Sequence, residues 1–291
     1  MSVTNVLESV LAIREAVRGA KALGDVALVP TMGALHEGHL SLVRAAKRKC
    51  ATTVVSIFVN PTQFGPGEDL AHYPRDLEAD VRKLEREGVD LVFAPSVDAM
   101  YPNGLSASFV EVQGIADRLD GRSRPGHFRG VATVVTKFFH IVSPDYAFFG
   151  QKDAAQVAVL RAMVRDLNFP LELVACPIVR EPDGLAMSSR NRYLTADERV
   201  RARLLYQALC AAQEAASHRV PSPCELRTII LKTMERDSAI RLDYAEVVDP
   251  DTLLPVDDLS RGALIAIAAW IGETRLIDNL LLPAIETTRC E

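Results

Sequence analysis

A chain of 291 residues, 48% hydrophobic and 24% charged, is long enough to bury one large core or two smaller ones, and its composition is that of a globular protein. Its net charge of −5 leaves no basic field for nucleic acid, and the short run Lys47-Arg48-Lys49 reads as a solvated helix face. No apolar run approaches the ~18 residues a bilayer span needs, and five scattered cysteines without a CxxC pair argue against a disulfide framework. With no basic-then-apolar pattern near residue 1, the expected setting is a reducing cytoplasm with no membrane partner.

Taken in order, Val6, Val10, Leu11, Ile13 and Ala16 predict an amphipathic helix over residues 4–22. Val26-Ala27-Leu28-Val29 predicts a strand, Pro30 to His39 a glycine-containing turn, and residues 40–49 a helix. Thr52-Thr53-Val54-Val55-Ser56-Ile57-Phe58-Val59 is apolar or β-branched almost throughout, as in the middle of a parallel sheet. A Gly/Pro-rich loop from Asn60 through Tyr73-Pro74-Arg75 has little to bury and reads as a lid or a long surface loop. There follow a helix over 76–87, strands over 89–94 and 108–112, and a basic loop at 120–130 carrying Arg122, Arg124, His127 and Arg129. That loop suits an anion, a subunit contact or plain exposure. A helix over 131–142 and a strand over 146–149 lead into Gly150-Gln151-Lys152-Asp153, a helix over 154–167 and a strand over 171–175.

The turn Pro182-Asp183-Gly184 marks a boundary. Beyond it, Thr195 with Glu198 and Ser222 with Glu225 form capping boxes, the second with Pro223 at the first helical position. Residues 242–248, 263–271 and 274–282 read as strands, the last two joined through Gly272-Glu273. The expected architecture is therefore α/β: a parallel-sheet domain at 1–178 followed by a smaller α+β domain at 179–291.

The chemistry concentrates where strands run into helices. His36 and His39 lie three apart, on one face of a first helical turn, beside N–H groups and the positive end of the helix dipole. Such a place accepts phosphate, and imidazole donors strengthen their bonds as phosphate charge grows. Two histidines could also be ordinary surface residues or half of a metal site, yet no third ligand lies nearby in sequence. Asn60 and Gln63 follow a strand's carboxyl end, as ligand-binding amides or as turn chemistry. Lys152 can reach phosphate, Asp153 can cap a helix, and Gln156 points out of the first turn. Met187-Ser188-Ser189-Arg190 offers hydroxyls and a guanidinium. Neither GxxxxGK[ST] nor GxGxxG occurs, so the expected nucleotide site is of neither the Walker nor the NAD type.

His-x-Gly-His with a distal Ser-rich basic loop resembles the nucleotidylyltransferase superfamily. Val-Pro-Thr-Met-Gly-Ala-Leu-His-Glu-Gly-His at 29–39, Phe-Val-Asn-Pro-Thr-Gln-Phe at 58–64, Tyr-Pro-Arg at 73–75, Phe-Phe-Gly-Gln-Lys-Asp at 148–153 and Asp-Gly-Leu-Ala-Met-Ser-Ser-Arg-Asn at 183–191 resemble, in order and separation, the pantoate–β-alanine ligase family. That resemblance implies a Rossmann-like first domain, a C-terminal lid domain and a homodimer. It implies ATP-dependent joining of pantoate to β-alanine through an acyl adenylate. ATP would lie on Met32, Gly33, Ala34, Leu35, His36, Glu37, Gly38 and His39, with His39 as proton donor. Gly150, Gln151, Lys152 and Asp153 would continue the site, Val179 would lie near adenine, and Met187, Ser188, Ser189 and Arg190 would hold the phosphates. Gln63 would hold pantoate and later β-alanine, while Gln156 and Asn60 would help orient pantoate. Mg²⁺ would ride on the phosphates, with Asp80 as a carboxylate contact. Gln151 departs from the Glu often found there. The competing readings are a transferase making a cofactor nucleotide, which would not need the Asn60/Gln63 loop, and a non-catalytic nucleotide sensor.

Overall fold

The computed structural model describes residues 4–105, 108–218 and 220–284. The chain forms two compact units: residues 1–116, 124–150 and 159–177 make the first, and residues 117–123, 151–158 and 178–291 the second.

In the first unit, β1 (Asn5–Leu7), β2 (Val26–Thr31), β3 (Thr52–Ile57), β4 (Leu91–Phe93), β5 (Tyr146–Gly150) and β6 (Glu172–Cys176) form one sheet. Every pairing is parallel, in the order β1-β4-β3-β2-β5-β6. Strand order reverses between β2 and β5, and open α/β sheets bind ligands outside the carboxyl ends of the strands at such a reversal. The connections carry α1 (Val10–Ala20), α2 (Glu37–Lys49), α3 (Leu77–Arg86), α4 (Val97–Met100) and α6 (His127–Val142). Leu42, Val43 and Ala46 of α2 and Leu84 of α3 share a core with Val29, Val55, Val92 and Phe148 of the sheet. Each such side chain contributes about 1.5–3 kcal/mol when fully buried. Phe138 of α6 meets Phe58 and Phe93 edge-on, at centroid distances of 6.3 and 6.2 Å.

The second unit contains α5 (Asp120–Ser123), α8 (Ala196–His218), α9 (Pro223–Met234) and the antiparallel sheet β7 (Ile240–Val248), β8 (Ala263–Ile271), β9 (Thr274–Leu282). The expected capping box of α9 is present, with Ser222 and Glu225 reciprocally bonded and Pro223 in the first turn. Leu205, Leu209, Leu226 and Ile230 pack with Ile265, Ile267 and Ile271 into its core. The helix α7 (Ala154–Asp166) begins among residues grouped with this unit and ends among those of the first. The α/β class and the parallel-then-antiparallel order agree with the sequence reading.

Three local expectations need correction. Residues 4–22 are not one helix: Asn5–Leu7 pairs with residues 91–93, and Ser9 caps α1 by accepting from the Ala12 N–H. A strand of three residues is too short to display a period of its own. Residues 108–112 form no strand; the Val110 N–H donates to Thr133 Oγ1 at 2.9 Å, a side-chain acceptor in place of a ladder partner. Residues 120–130 are not one loop, since α5 and the start of α6 lie there; Asp120 and Gly121 are buried, while Arg122, Ser123, Pro125, Gly126 and Arg129 are exposed.

Gly130 of α6 marks where this fold touches the Asn60–Gln63 segment. A Cβ there would lie 2.3 Å from the Thr62 carbonyl oxygen and 2.7 Å from Gln63 Cα. Both are backbone atoms, so the substitution must move the chain. Gly130→Ala is expected to destabilise the protein by about 1–3 kcal/mol through overpacking. Urea unfolding measures it, and an unchanged midpoint would contradict this packing.

Candidate functional site

The turn after β2 is built from consecutive, individually bonded amides. The Gly33 N–H donates to Thr31 Oγ1 at 3.2 Å. The Ala34 and Leu35 N–H groups donate to Asp80 Oδ2 and Oδ1 at 2.7 and 2.8 Å. The His36 N–H donates to His39 Nδ1 at 3.3 Å. Gly33 and Ala34 have φ of +83° and +51°, the left-handed region that glycine tolerates and alanine rarely enters. The backbone donors of residues 33–36 are thus spoken for within the protein. The first turn of α2 presents the Glu37 and Gly38 N–H groups, which have no intrahelical acceptor, and carries the two imidazoles beside them. Because His39 Nδ1 accepts, its neutral ring carries the proton on Nε2, which is a donor. The His36 and His39 rings lie 4.1 Å apart at 32°.

Asp80 is 1% exposed, on α3, and Lys83 one turn later donates to the Leu35 carbonyl at 2.7 Å while lying 3.4 Å from Asp80 Oδ1. A cavity of about 320 Å³ opens at the carboxyl ends of β2, β3 and β4, lined by Met32, Gly33, Phe58, Val59, Arg75 and Ser96 among others. Arg75 of the Tyr-Pro-Arg stretch is thereby drawn to the sheet's carboxyl edge.

Asn60, also 1% exposed, uses both ends of its amide inside the first unit. Its oxygen accepts from Tyr101 Oη at 2.8 Å and from the Thr62 hydroxyl at 2.9 Å. Its nitrogen donates to the Gly130 carbonyl at 3.1 Å and to Gln63 Oε1 at 3.2 Å. Gln63 Nε2 in turn lies 3.0 Å from Met32 Sδ. Gln63 is therefore oriented from two sides, and it meets the double-histidine turn through Met32. The following loop is tied to the segment just before α6: Arg124 donates to both oxygens of Glu68 at 2.7 and 2.6 Å. Burial pushes the Glu68 carboxyl up, but the Arg124 bonds and charge outweigh it and hold it below its usual range. Arg124 also reaches His127 Nε2 at 2.9 Å, so His127 carries its proton on Nδ1 and donates to the Gln63 carbonyl at 2.8 Å. Two members of the basic stretch thus brace the Gln63 segment.

In the second unit, Gln151, Lys152 and Asp153 form a 3₁₀ turn, and Lys152 Nζ lies 3.4 Å from Asp153 Oδ1. Asn279 of β9 holds that turn: its Nδ2 donates to the Gln151 and Lys152 carbonyls, each at 2.9 Å, and its Oδ1 accepts from Gln151 Nε2 at 3.3 Å. The amide of Gln151 has a donor to give here, which a carboxylate would lack. Next to it, Asp278 receives both arms of Arg180 at 2.6 and 3.0 Å. Burial pushes the Asp278 carboxyl up against the pull of Arg180. Arg180 also covers the Tyr206 ring at 4.0 Å, so its guanidinium is committed to structure. Val179 and Met187 face each other through the Met187 N–H to Val179 carbonyl bond of 3.0 Å. Ser188 Oγ accepts from the Arg190 N–H at 3.3 Å and starts the 3₁₀ turn Ser189–Tyr193. Gln156 is half-buried in the first turn of α7.

Sequence reasoning missed the residues that hold these segments: Asp80 as a backbone clamp, Tyr101, Glu68 with Arg124, and Asp278 with Asn279. The last pair did leave a signal, two adjacent polar residues inside the apolar strand 274–282. Each of them is 3% exposed.

Residues 5–281 match the Pantoate-beta-alanine ligase family. A pantothenate synthetase of Acidobacterium capsulatum is 60% identical over 91% of this chain and 87% of its own length. One from Thermotoga neapolitana is 52% identical over 97% and 100%. Among solved structures, the pantothenate synthetase of Thermus thermophilus superposes with a TM-score of 0.91 at 47% identity, covering 95% of this chain and 99% of the other. A pantoate-beta-alanine ligase from Francisella tularensis, complexed with beta-gamma ATP and β-alanine, gives a TM-score of 0.78 at 33% identity, covering 96% and 97%.

Asn279→Asp keeps the shape but removes both donors and sets a carboxylate against two carbonyls. It is expected to cost about 2 kcal/mol or more. Equilibrium unfolding measures the loss; a midpoint equal to wild type would show that Asn279 does not hold the 151–153 turn.

Proposed function

The chain belongs to the pantoate-β-alanine ligase family, and from that premise we propose that it joins pantoate to β-alanine at the expense of ATP. In the first step a pantoate carboxylate oxygen attacks the α-phosphorus of ATP, the bond from that phosphorus to the β-phosphate oxygen breaks, and pyrophosphate leaves. The product is pantoyl adenylate. In the second step the neutral amine of β-alanine attacks the acyl carbon, the carbon–oxygen bond to AMP breaks, and the amine loses a proton as the amide forms. A free carboxylate is a poor acyl donor; the mixed anhydride supplies a leaving group.

The observation that carries this reading is the pair His36/His39 on the first turn of a helix that follows a central parallel strand, with His39 Nδ1 accepting the His36 N–H so that the ring proton lies on Nε2. Negative charge building on phosphate oxygens is best met by such fixed donors. We assign Met32, Gly33, Ala34, Leu35, His36, Glu37, Gly38 and His39 to ATP, together with Gly150, Gln151, Lys152 and Asp153. Val179 is assigned to adenine, and Met187, Ser188, Ser189 and Arg190 to phosphate. Gln63 takes pantoate and then β-alanine, with Gln156 beside it. Asn60 acts on pantoate through Gln63, whose amide it orients. The bound ligands of the Francisella relative support ATP and β-alanine as substrates. Residues 1–178 are the binding domain and 179–291 the lid domain of this reading.

ATP arrives as its magnesium complex, a substrate. Among the described residues no cluster of three or more His, Cys, Asp or Glu forms a metal cage. Asp80 does not fit a direct ligand, because it is 1% exposed, accepts a backbone N–H on each oxygen and has the Lys83 ammonium 3.4 Å from Oδ1, where a second cation would be repelled. Family membership further supports a homodimer, and the unbridged Cys50, Cys176, Cys210 and Cys224 support the cytoplasm.

The test is exchange of labelled pyrophosphate into ATP, with Mg²⁺ and pantoate but no β-alanine. Exchange that depends on pantoate is expected, and His39→Ala is expected to slow it by ~10²-fold or more while the protein stays folded. Exchange that ignores pantoate would favour a transferase acting on another substrate, and ATP binding without any exchange would favour a sensor.

A further inference from the structure

The double-histidine turn is not held by its own helix alone. Its two strained positions, Gly33 and Ala34, sit against Asp80, which comes from 46 residues away. A Cβ on Gly33 would lie 3.0 Å from Asp80 Oδ2, so the carboxylate and the glycine fit each other. One oxygen takes the Ala34 N–H and the other the Leu35 N–H, at 2.7 and 2.8 Å. Lys83, on the next turn of α3, takes the Leu35 carbonyl at 2.7 Å. The Leu35 peptide is therefore gripped at both its donor and its acceptor by one face of α3. The helix begins at Leu77, directly after the loop that carries Glu68, Tyr73 and Arg75.

We propose that Asp80 is a positioning residue for His36 and His39, acting through the Ala34 and Leu35 amides, and is not a ligand of the magnesium. This deepens the ligase reading and rests on it. A buried carboxylate with two backbone donors and a lysine is satisfied as it stands. A metal ion on Oδ1 would meet the Lys83 ammonium, which lies 3.4 Å away, and would have to enter a site where the carboxylate is 1% exposed. Asp80→Asn supplies one acceptor and one N–H₂ group to two N–H donors, so one amide loses its partner. The turn then shifts, and the imidazoles lose alignment with the phosphate.

Two measurements on the full chain test this. First, hydrogen exchange of the wild-type protein without ligands reads the clamp itself. Ala34 and Leu35 belong to neither a helix nor a strand, yet their amides are expected to exchange ~10²-fold or more slowly than free peptide, in keeping with buried bonded amides. Exchange at free rates would overturn the proposal whatever the enzyme does. Second, Asp80→Asn is expected to lower kcat by about 10- to 100-fold, counted per folded active site, with KM for ATP and pantoate changed by less than about threefold. The Mg²⁺ concentration for half-maximal rate should stay put. A raised Mg²⁺ requirement, with kcat restored at high Mg²⁺, would make Asp80 a ligand and overturn the proposal; so would a kcat equal to wild type. If the wild-type protein shows no pantoate-dependent exchange while the two amides remain protected, it is the ligase reading that fails and the clamp that stands. If Asp80→Asn does not fold, the amide exchange alone decides.

Discussion

A buried carboxylate facing two backbone amides organises the catalytic end of the first unit. Neither side of the bond is stable without the other. Asp80 at 1% exposure would cost several kcal/mol as an unpaired charge, and the Ala34 and Leu35 amides would be buried donors without acceptors. Ala34 holds a φ of +51°, a conformation that costs a non-glycine residue on the order of 1–2 kcal/mol. Such a turn persists only where its surroundings over-determine it. Here the surroundings are one carboxylate, one lysine and the Thr31 hydroxyl. The gain is rigidity at the first turn of α2, where charge has to be met without reorganisation.

The same design recurs at the other segments. Gln63 is aimed by Asn60, which is itself fixed by Tyr101, Thr62 and the Gly130 carbonyl. The 151–153 turn is fixed by Asn279 from the last strand. In each case the segment assigned to substrate lies on a turn, and a more buried polar residue sets its geometry: Asn60 from three residues before Gln63, Asn279 from 128 residues beyond Gln151. Support of this kind separates a site that is merely present from one held within the ~0.5 Å tolerance of productive chemistry.

How much of this was legible in the sequence follows from the range of the forces involved. Strands β2 and β3 declared themselves because a central parallel strand must be apolar on both faces, and α9 because Ser222, Pro223 and Glu225 write its start locally. The His36/His39 turn was legible as a strand–glycine–helix pattern. By contrast, β1 is a three-residue edge strand whose only reason to exist is its partner near residue 91. Val110 had the alternation of a strand but found a threonine hydroxyl before it found a ladder. The Ala34 and Leu35 amides are bonded within the protein, which no local pattern announced, because their acceptor, Asp80, lies 46 and 45 residues on. Asn279 lies 128 residues from Gln151. No window of local sequence contains either pair.

The central claim is that the carboxylate of pantoate becomes bonded to the α-phosphorus of ATP before it meets the amine. Oxygen-18 in that carboxylate tests it in a single turnover with β-alanine present. The account predicts a single labelled oxygen in the phosphate of AMP, carried over when the acyl–oxygen bond breaks in the second step. Unlabelled AMP, or label in pyrophosphate or inorganic phosphate, would contradict an adenylate and place the activation elsewhere on the nucleotide.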